Sequence, residues 1–488
     1  MIYGPRINKS SKYNDVLGED QLGIKYVAIN ISDILQNGVT SVTPRARYWS
    51  FYTWILYDFV KYSGMKKTEG NLKSYIKRQE WYFILANISY GQIVSDDSYA
   101  LQGKREGTNI WNNDGQVLFL NDKYIQNPYG GYGIYRNVLK ILGLTCDSDK
   151  DNDIEIDRLT KTGEQVALAF ESEIINTEYY KKYRLSNVPV PRNVIIEYGH
   201  KVHLSHIGKT ADGKRLIDLF IPNDNSSEQA HIRMLSLQYY RYILNKYNIK
   251  SMTDNEWRRT FYDSFSVKVN DSIIIPDEYK QVAAGWEICV TRMYFTFALE
   301  GIFARILRKL SDSPVDILTL IKKVLSDIEF NVLNKKVSEF IRNEVILEAD
   351  RNFIIENLRL NNEQTILSGL RLGFDVYNRM VNRKDFDDFH YDLLKIGGMD
   401  QISLQYWIDI VESYKEKKVE ELLIYVLQHL CINQHLKTAL EKLYTTRNNT
   451  FHYVYEDGIL HFVDFDKPEF NVMRVVQGTS ILADLDLI

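Results

Sequence analysis

The chain has 488 residues, of which 45% are hydrophobic and 25% are charged, and its formal net charge is −4. This length allows several domains with a substantial core, and the composition is that of an ordinary globular protein rather than a disordered one. The slight acidity excludes a basic surface spread over the whole chain, so any contact with nucleic acid requires a local basic patch.

The three cysteines, Cys146, Cys289 and Cys431, are far apart in the sequence. Their odd number and spacing predict neither a disulfide framework nor a zinc module and fit a reducing cytoplasm. The first residues lack the apolar stretch of a signal peptide, and no apolar run reaches ~18 residues. We therefore expect a cytoplasmic protein that does not enter a membrane and that uses neither a metal nor a cofactor.

Helical patterns dominate the chain, and only 9 prolines interrupt them. The sequence predicts a mainly α fold: a helical C-terminal bundle, a smaller α+β N-terminal region and a short C-terminal β hairpin. We expect four regions along the chain. They are an aromatic-rich helical region over residues 1–125, an α+β segment over 126–220, a helical domain over 221–452, and a hairpin with a tail over 453–488.

The first clear helix follows Thr43-Pro44, which suits the N-cap and the first helical position. Arg45 and Arg47 lie in its first turn, where the helix dipole disfavours cations. Cations placed there indicate an ion pair within the fold or a phosphate-binding site, and the ion pair is the favoured interpretation. Lys77 and Arg78 lie among aromatic residues further along, a combination that also holds single strands of nucleic acid. The candidate nucleic-acid-binding residues are therefore Arg45, Arg47, Lys77 and Arg78.

Residues 132–170 contain a helix ending in Leu-Gly-Leu, an acidic hairpin and a helix after Leu-Thr-x-x-Gly. This order resembles that of winged-helix modules. The glycine-rich stretch before it, residues 127–133, lacks the Lys-Ser/Thr pair of a phosphate-binding loop and is interpreted as a turn. Residues 147–157 of the hairpin are strongly acidic, and such a wing would repel phosphates. A scaffold or a protein contact is therefore favoured over a reader of DNA.

One cluster of aspartates and one cluster of histidines are candidate metal ligands. Aspartates alternate along residues 147–153 as in an EF-hand loop, but the glycine and the final glutamate of that loop are missing. Three histidines are spaced three residues apart, yet no acid or cysteine lies at a ligand-like spacing from them; they are His200, His203 and His206. A solvated acidic loop and a structural histidine face are the favoured interpretations.

A long apolar helix predicted over residues 277–310 contains Glu287 and Glu300. A buried carboxylate needs a partner, because burying an unpaired charge is costly. The nearby basic residues Arg292 and Arg305 are the candidate partners. Glu300 is also a candidate to contact the Arg447/His452 site from a neighbouring helix.

The last predicted helices, residues 403–414 and 418–446, lead into the motif Arg447-Asn448-Asn449-Thr450-Phe451-His452. The Asp-Gly pair that follows predicts a hairpin, which places the motif at a helix-to-strand junction. On a continuous helix, Arg447 and His452 would point ~140° apart. A joint site therefore requires a broken turn or a second copy of the motif.

In this helical context, Arg447, Asn448 and His452 resemble the signature of the HEPN superfamily, many of whose members are metal-independent ribonucleases of bacterial toxin and antiphage systems. The resemblance implies RNA as the substrate and either a homodimer or a complex with partner defence subunits. His452 would act as general acid and base. Arg447 would bind the phosphate, and Asn448 would orient either group.

Three alternatives remain open. Arg447 and His452 are structural if Arg447 closes the preceding helix and His452 packs beside Phe451. The chain is alternatively a non-catalytic nucleic-acid- or partner-binding subunit of a multi-protein antiphage defence complex. A DNA-binding regulator using residues 132–170 is the least favoured. An open basic cleft lined by Arg447 and His452 favours the enzyme, whereas a position beneath the C-terminal hairpin favours the binding subunit.

Overall fold

A computed structural model describes residues 20–94, 100–113, 115–148, 155–222, 227–266, 271–343, 348–381, 383–398 and 402–488. The predicted fold class is confirmed, since these residues are mainly helical with a few short strand pairs. They form two compact units. The N-terminal unit consists of residues 32–283 and 472–488, and the C-terminal unit consists of residues 20–31 and 284–471. These units group the residues differently from the four regions predicted from the sequence.

The α-helices follow one another in chain order. They are α1 (Tyr26–Leu35), α2 (Arg47–Tyr62), α3 (Glu69–Val94), α4 (Lys104–Asn113), α5 (Tyr132–Ile141), α6 (Lys161–Ile174), α7 (Arg192–Val202), α8 (Ala211–Phe220), α9 (Glu228–Lys246), α10 (Asp254–Asp263), α11 (Lys280–Leu310), α12 (Ile317–Leu325), α13 (Phe330–Leu333), α14 (Val337–Asn343), α15 (Glu348–Leu360), α16 (Thr365–Val381), α17 (Asp388–Lys395), α18 (Leu404–Tyr414), α19 (Val419–Tyr425), α20 (Gln434–Thr446) and α21 (Val475–Asp484). The segments Tyr179–Tyr183 and Val426–Asn433 are π-helical, and Asp277–Tyr279 is a 3₁₀ turn.

The described strands form four antiparallel pairs. They are β1 (Val117–Leu118) with β4 (Val190–Pro191), β2 (Thr145–Cys146) with β3 (Arg158–Leu159), β5 (Phe265–Ser266) with β6 (Asp271–Ser272), and β7 (Tyr453–Glu456) with β8 (Ile459–Phe462). The predicted Asp-Gly hairpin is the last pair, where Asp457 and Gly458 have φ angles of 51° and 84°. Positive φ at both central residues is what a tight two-residue hairpin turn requires.

The core of the N-terminal unit is built on aromatic side chains of α2. This helix is buried on nearly every face from Arg47 to Phe59, as its apolar residues on all sides predict. Phe51 stacks on Phe83 of α3 with the ring centroids 3.9 Å apart. Such stacked pairs add attraction beyond the burial of their area. The aromatic residues of α2 from Tyr48 to Phe59 therefore pack the core.

The start of α2 differs from the prediction. Thr43 does not cap the helix; its hydroxyl lies 3.0 Å from that of Thr40. The helix begins at Arg47, and the Asp484 carboxylate of α21 accepts a hydrogen bond from the backbone N–H of Ala46 at 2.9 Å. A carboxylate is favoured at a helix N-terminus by the dipole. The capping group comes from the far end of the chain, where local patterns cannot reveal it.

The glycine-rich stretch 127–133 closes over the buried carboxylate of Glu80. Tyr52 donates its hydroxyl hydrogen bond to Glu80 at 2.6 Å, and Tyr124 does so at 2.5 Å. The backbone N–H of Gly131 donates to both carboxylate oxygens, at 3.0 and 2.9 Å. A Cβ atom at Gly131 would lie 2.3 Å from the Tyr52 hydroxyl oxygen. Only glycine fits this approach, so the stretch is a packed turn.

The predicted partners of the buried glutamates are wrong. Glu287 pairs with Arg379 at 3.2 Å and also with Arg383. Arg305 pairs with Asp327 at 2.7 Å, and Arg292 donates to a backbone carbonyl. The actual partners of Glu287 lie in or beyond α16, far away in the sequence. Helix–helix packing brings them together, and sequence proximity could not identify them.

Candidate functional site

The six-residue motif forms the connection between α20 and β7. The helix ends at Thr446, and Arg447 adopts a left-handed backbone conformation with a φ of 59°. The N–H of Arg447 donates to the carbonyl of Leu443 at 3.2 Å, which closes the last turn. The junction predicted from the sequence is therefore present. Because the helix stops at this turn, helical spacing does not set the directions of Arg447 and His452.

The side chains of Arg447 and Asn448 are exposed. The Arg447 guanidinium makes no hydrogen bond or ion pair with any residue that the structure describes. Tyr444, one turn earlier, is 83% exposed. A cation and an aromatic ring are thus both exposed to solvent at the end of α20.

The His452 ring is buried, with 3% of the residue exposed. Its Nδ1 lies 3.2 Å from the carbonyl oxygen of Asp464, which fixes Nδ1 as the donor and leaves Nε2 unprotonated in the neutral ring. Nε2 is buried and has no hydrogen-bond partner among the described residues. The ring packs edge-on against Phe303, with the centroids 6.2 Å apart. A nucleic-acid hydroxyl therefore cannot reach His452 in this conformation.

His435 of α20 holds the backbone at His452. Its Nε2 accepts a hydrogen bond from the His452 N–H at 3.0 Å, and its Nδ1 lies 3.0 Å from the carbonyl oxygen of Gln21. Burial lowers the pKa of His435 to about 3, so this ring is neutral at physiological pH. The sequence reasoning missed His435, since its only local signal was a histidine on a helix.

The carboxyl group of Asp466 interacts electrostatically with His452 and with the carboxyl group of Glu300. Burial raises the pKa of Asp466, and attraction to His452 opposes this rise. Burial also raises the pKa of Glu300, to about 8, against the attraction of Lys25 and a hydrogen bond from the backbone N–H of Glu469 at 3.2 Å. The charge of Asp466 adds to the rise at Glu300. Glu300 and His452 are buried and Asp466 is half-buried, whereas the Arg447 guanidinium is exposed.

The structure therefore does not bring the predicted catalytic set into one open site. Arg447 and Asn448 face solvent, whereas His452 lies beneath the chain that follows it. The backbone N–H groups of Val463 and Asp464 donate to the His452 carbonyl oxygen at 2.9 and 3.2 Å. The segment leaving the hairpin thus covers the histidine.

Arg45 and Arg47 lie inside the N-terminal unit. Arg45 is 4% exposed and pairs with Asp484 at 3.0 Å. Arg47 is fully buried and contacts both oxygens of Asp212, each at 3.2 Å. These contacts are the ion pairs within the fold that the sequence favoured over a phosphate-binding site. Buried in this way, the two guanidiniums belong to the fold rather than to a nucleic-acid-binding surface.

Lys77 and Arg78 are also engaged within the N-terminal unit. The Lys77 ammonium donates to the carbonyl oxygen of Asp122 at 3.0 Å. Arg78 is 8% exposed, and its guanidinium donates to the Asn187 side chain at 2.6 Å and to the Tyr183 carbonyl at 3.1 Å. Lys77 is the more accessible of the two. The four candidate nucleic-acid-binding residues do not form one exposed basic patch.

The metal candidates give no ligand cluster in the part of the chain that the structure describes. Helix α7 ends at Val202, so the three histidines do not share a helix face. The His203 ring stacks on Tyr90 at 4.5 Å, and His206 pairs with Asp486 at 2.8 Å. Residues 149–154 of the acidic run lie outside the described residues. Among the helices described, none is long and apolar enough to cross a membrane.

Comparison with known proteins adds no further constraint on the function. No protein-family model matches the chain, and neither does any curated protein or any solved structure.

Proposed function

We propose that the chain is a non-catalytic RNA-binding subunit of a bacterial antiphage defence complex, and that it contacts single-stranded RNA through the exposed end of α20. The supporting observation is the separation of the motif: Arg447 and Asn448 face solvent while His452 is buried. The placement in a defence complex with partner subunits rests on the resemblance of these residues to the HEPN signature.

The contact would use one face of α20, the α20 surface, which consists of Lys437, Leu440, Tyr444 and Arg447. Spacings of three and four residues align Lys437, Leu440 and Tyr444 along the helix. Arg447 follows in the turn that ends the helix, and all four residues are exposed. Two exposed cations, Lys437 and Arg447, belong to this surface, whereas Lys442 is half-buried and donates to the backbone carbonyl of Asp20. The one acidic residue from 434 to 447 is Glu441. This is the local basic patch that a chain of net charge −4 requires for binding nucleic acid.

Each exposed group suits a different part of a single strand. A base stacked on Tyr444 would contribute ~1–3 kcal/mol, whatever its identity. The Arg447 guanidinium can form two parallel hydrogen bonds to a phosphate, and the Asn448 amide can bind a base edge or a sugar hydroxyl. The combination predicts binding to single strands with little sequence preference.

Replacing Arg447 by glycine tests this contact without disturbing the fold. A non-glycine residue in the left-handed conformation costs ~1–2 kcal/mol, so Arg447→Gly is expected to keep or raise the thermal stability. Its affinity for a single-stranded RNA oligonucleotide should fall about tenfold, the value of one lost charge-assisted contact. The slope of log affinity against log salt should also fall by roughly one phosphate contact. Fluorescence anisotropy over a salt series measures both quantities.

The matched control is Lys395→Ala, which removes an exposed cation of α17 in the same unit. It should leave the affinity and its salt dependence unchanged. Tyr444→Ala should weaken binding without changing the salt slope, because stacking releases no counterions. RNA affinity that is equal in the wild type and in the Arg447→Gly and Tyr444→Ala variants would refute the proposed contact.

A metal-independent endoribonuclease is the second candidate function. It is favoured by the His452 ring, in which the Asp464 carbonyl holds the proton on Nδ1 and leaves the Nε2 lone pair without a partner. An unprotonated imidazole nitrogen is what a general base needs to take the 2′-hydroxyl proton. Arg447 would then stabilise the phosphorane, and the product would carry a 2′,3′-cyclic phosphate. This chemistry requires the segment that covers His452 to move.

RNA cleavage in EDTA separates the two candidates. As a non-catalytic subunit, the purified wild type should bind RNA and leave it intact. Cleavage by the wild type that is lost in both His452→Ala and Arg447→Gly would establish the ribonuclease instead. Melting curves of the variants must accompany the assay, because His452 is buried and its truncation can unfold the chain. Cleavage that persists in both variants would place the activity at other residues.

A further inference from the structure

A cavity of about 630 Å³ lies in the N-terminal unit among the ends of four helices. The C-terminal end of α5 borders it, together with the first turns of α6 and α9 and the second half of α8. Its volume is within the range of ~300–1,000 Å³ that is usual for small-molecule sites. No residue of the proposed RNA contact belongs to it.

Arg233 of α9 lines this cavity and is a buried cation with no carboxylate partner among the residues that the structure describes. It is 5% exposed, and its guanidinium donates to the carbonyl oxygens of Asn37 at 3.2 Å and Leu219 at 3.1 Å. Its Nε is buried without a hydrogen-bond partner among the described residues. Burial lowers the pKa of Arg233 to about 10. A buried charge is costly unless an opposite charge compensates it, and two neutral carbonyls do so incompletely.

Other positively charged groups line the same cavity. Arg215 of α8 lines the cavity and is exposed. The wall also includes Ser227, Gln229 and Ala230 at the N-terminus of α9, where Ser227 accepts a hydrogen bond from the Ala230 N–H at 3.2 Å. The N-terminus of a helix carries a partial positive charge and favours anions. The cavity thus combines two guanidiniums with a helix N-terminus.

Among the described residues that line the cavity, Asp218 is the one acidic residue, and it is exposed. Uncharged polar side chains supply hydrogen-bonding groups around the rest of the wall; they are Asn37, Thr162, Gln165 and Gln229. The apolar side chains Ile141, Leu142 and Val166 border the same space. This lining suits a molecule with one anionic end and a larger, mostly uncharged polar body.

We propose that this cavity binds a phosphorylated small molecule of about mononucleotide size, with its phosphate held by Arg233 and Arg215. The planar guanidinium forms paired hydrogen bonds with phosphate oxygens, and the charge of the ligand would compensate the buried Arg233. Inorganic phosphate alone would leave most of the cavity unfilled, which favours an organic phosphate. Asp218 would accept hydrogen bonds from sugar hydroxyls or an amino group.

The test is the melting temperature of the full chain with millimolar inorganic phosphate, ribose 5-phosphate, AMP or adenosine, followed by calorimetric titration. A ligand that binds the folded state raises the melting temperature. We expect a rise with ribose 5-phosphate and AMP, a smaller rise with inorganic phosphate, and none with adenosine. Arg215→Ala should weaken the binding of AMP about tenfold, since it removes one charged contact.

Lys214→Ala is the matched control, because Lys214 is the exposed cation next to Arg215 on α8 and does not line the cavity. It should bind AMP as the wild type does. A response to none of the three phosphates, or equal affinity of Arg215→Ala and the wild type, would overturn the proposal. Equal affinity for AMP and adenosine would overturn it as well, since the phosphate would then contribute nothing. RNA binding at the α20 surface is measured separately, so failure of one proposal leaves the other standing.

Discussion

Replacing Asp212 by alanine is expected to lower the free energy of unfolding by about 3–5 kcal/mol, the usual cost of stranding one member of a buried ion pair. Asp212 and Arg47 are both fully buried. The Asp212 carboxylate also accepts hydrogen bonds from the hydroxyls of Ser50 and Thr210, each at 2.7 Å. The alanine would leave the Arg47 charge without its counterion inside the core. Urea denaturation followed by circular dichroism measures the loss.

The control for this prediction is Asp218→Ala, which removes an exposed carboxylate from the same helix. Its effect should stay within about 0.5 kcal/mol, as is usual for surface substitutions. The double variant Arg47→Met, Asp212→Leu should recover much of the loss, because an apolar pair removes the stranded charge. A loss below about 1 kcal/mol for Asp212→Ala would contradict the prediction, since it would mean that water or another group solvates Arg47.

Replacing Glu300 by glutamine is expected to stabilise the chain at alkaline pH by several kcal/mol, because each tenfold change in proton affinity is worth ~1.4 kcal/mol. Burial raises the pKa of Glu300 from 4.5 to about 8. The folded state therefore holds this proton more tightly than the unfolded state does. The resulting stability is fully present below pH 4.5 and is lost as the pH rises through about 8.

The wild type should accordingly lose stability between pH 5 and pH 9 more steeply than Glu300→Gln, and the two should differ least at pH 5. Denaturant titrations at several pH values give both curves. Glu441→Gln removes an exposed carboxylate of α20 and should reproduce the pH profile of the wild type. Parallel profiles for the wild type and Glu300→Gln would show that Glu300 is already ionised in the folded state at pH 5.

Local patterns in the sequence encode the features that depend on neighbouring residues. Thr253 and Glu256 form the capping box that begins α10, and the Asp457-Gly458 turn joins β7 to β8. Both depend on backbone groups within a few residues, where capping and turn preferences act. The end of α20 before the motif also depends on residues that are close in the sequence.

The surroundings of the candidate site depend on contacts between residues far apart in the sequence. Arg45 meets Asp484 at a separation of 439 residues, and the His435 ring meets Gln21 at a separation of 414. No periodicity or spacing encodes such pairs. The residue types at Arg447 and His452 were evident from the sequence. Their accessibility was not, because it depends on how the segment after the hairpin folds back over His452.

The N-terminal unit combines residues 32–283 with residues 472–488. This arrangement affects how the unit folds while the chain is being synthesised. Helix α21 supplies the carboxylate that caps α2 and pairs with Arg45, yet it is translated long after α2. At ~5–20 residues per second, the ribosome needs tens of seconds to pass from α2 to α21. During that time the aromatic helices of this unit lack their final partner. Exposed apolar surface on a nascent chain is what chaperones bind, so this protein should depend on them until α21 has been translated.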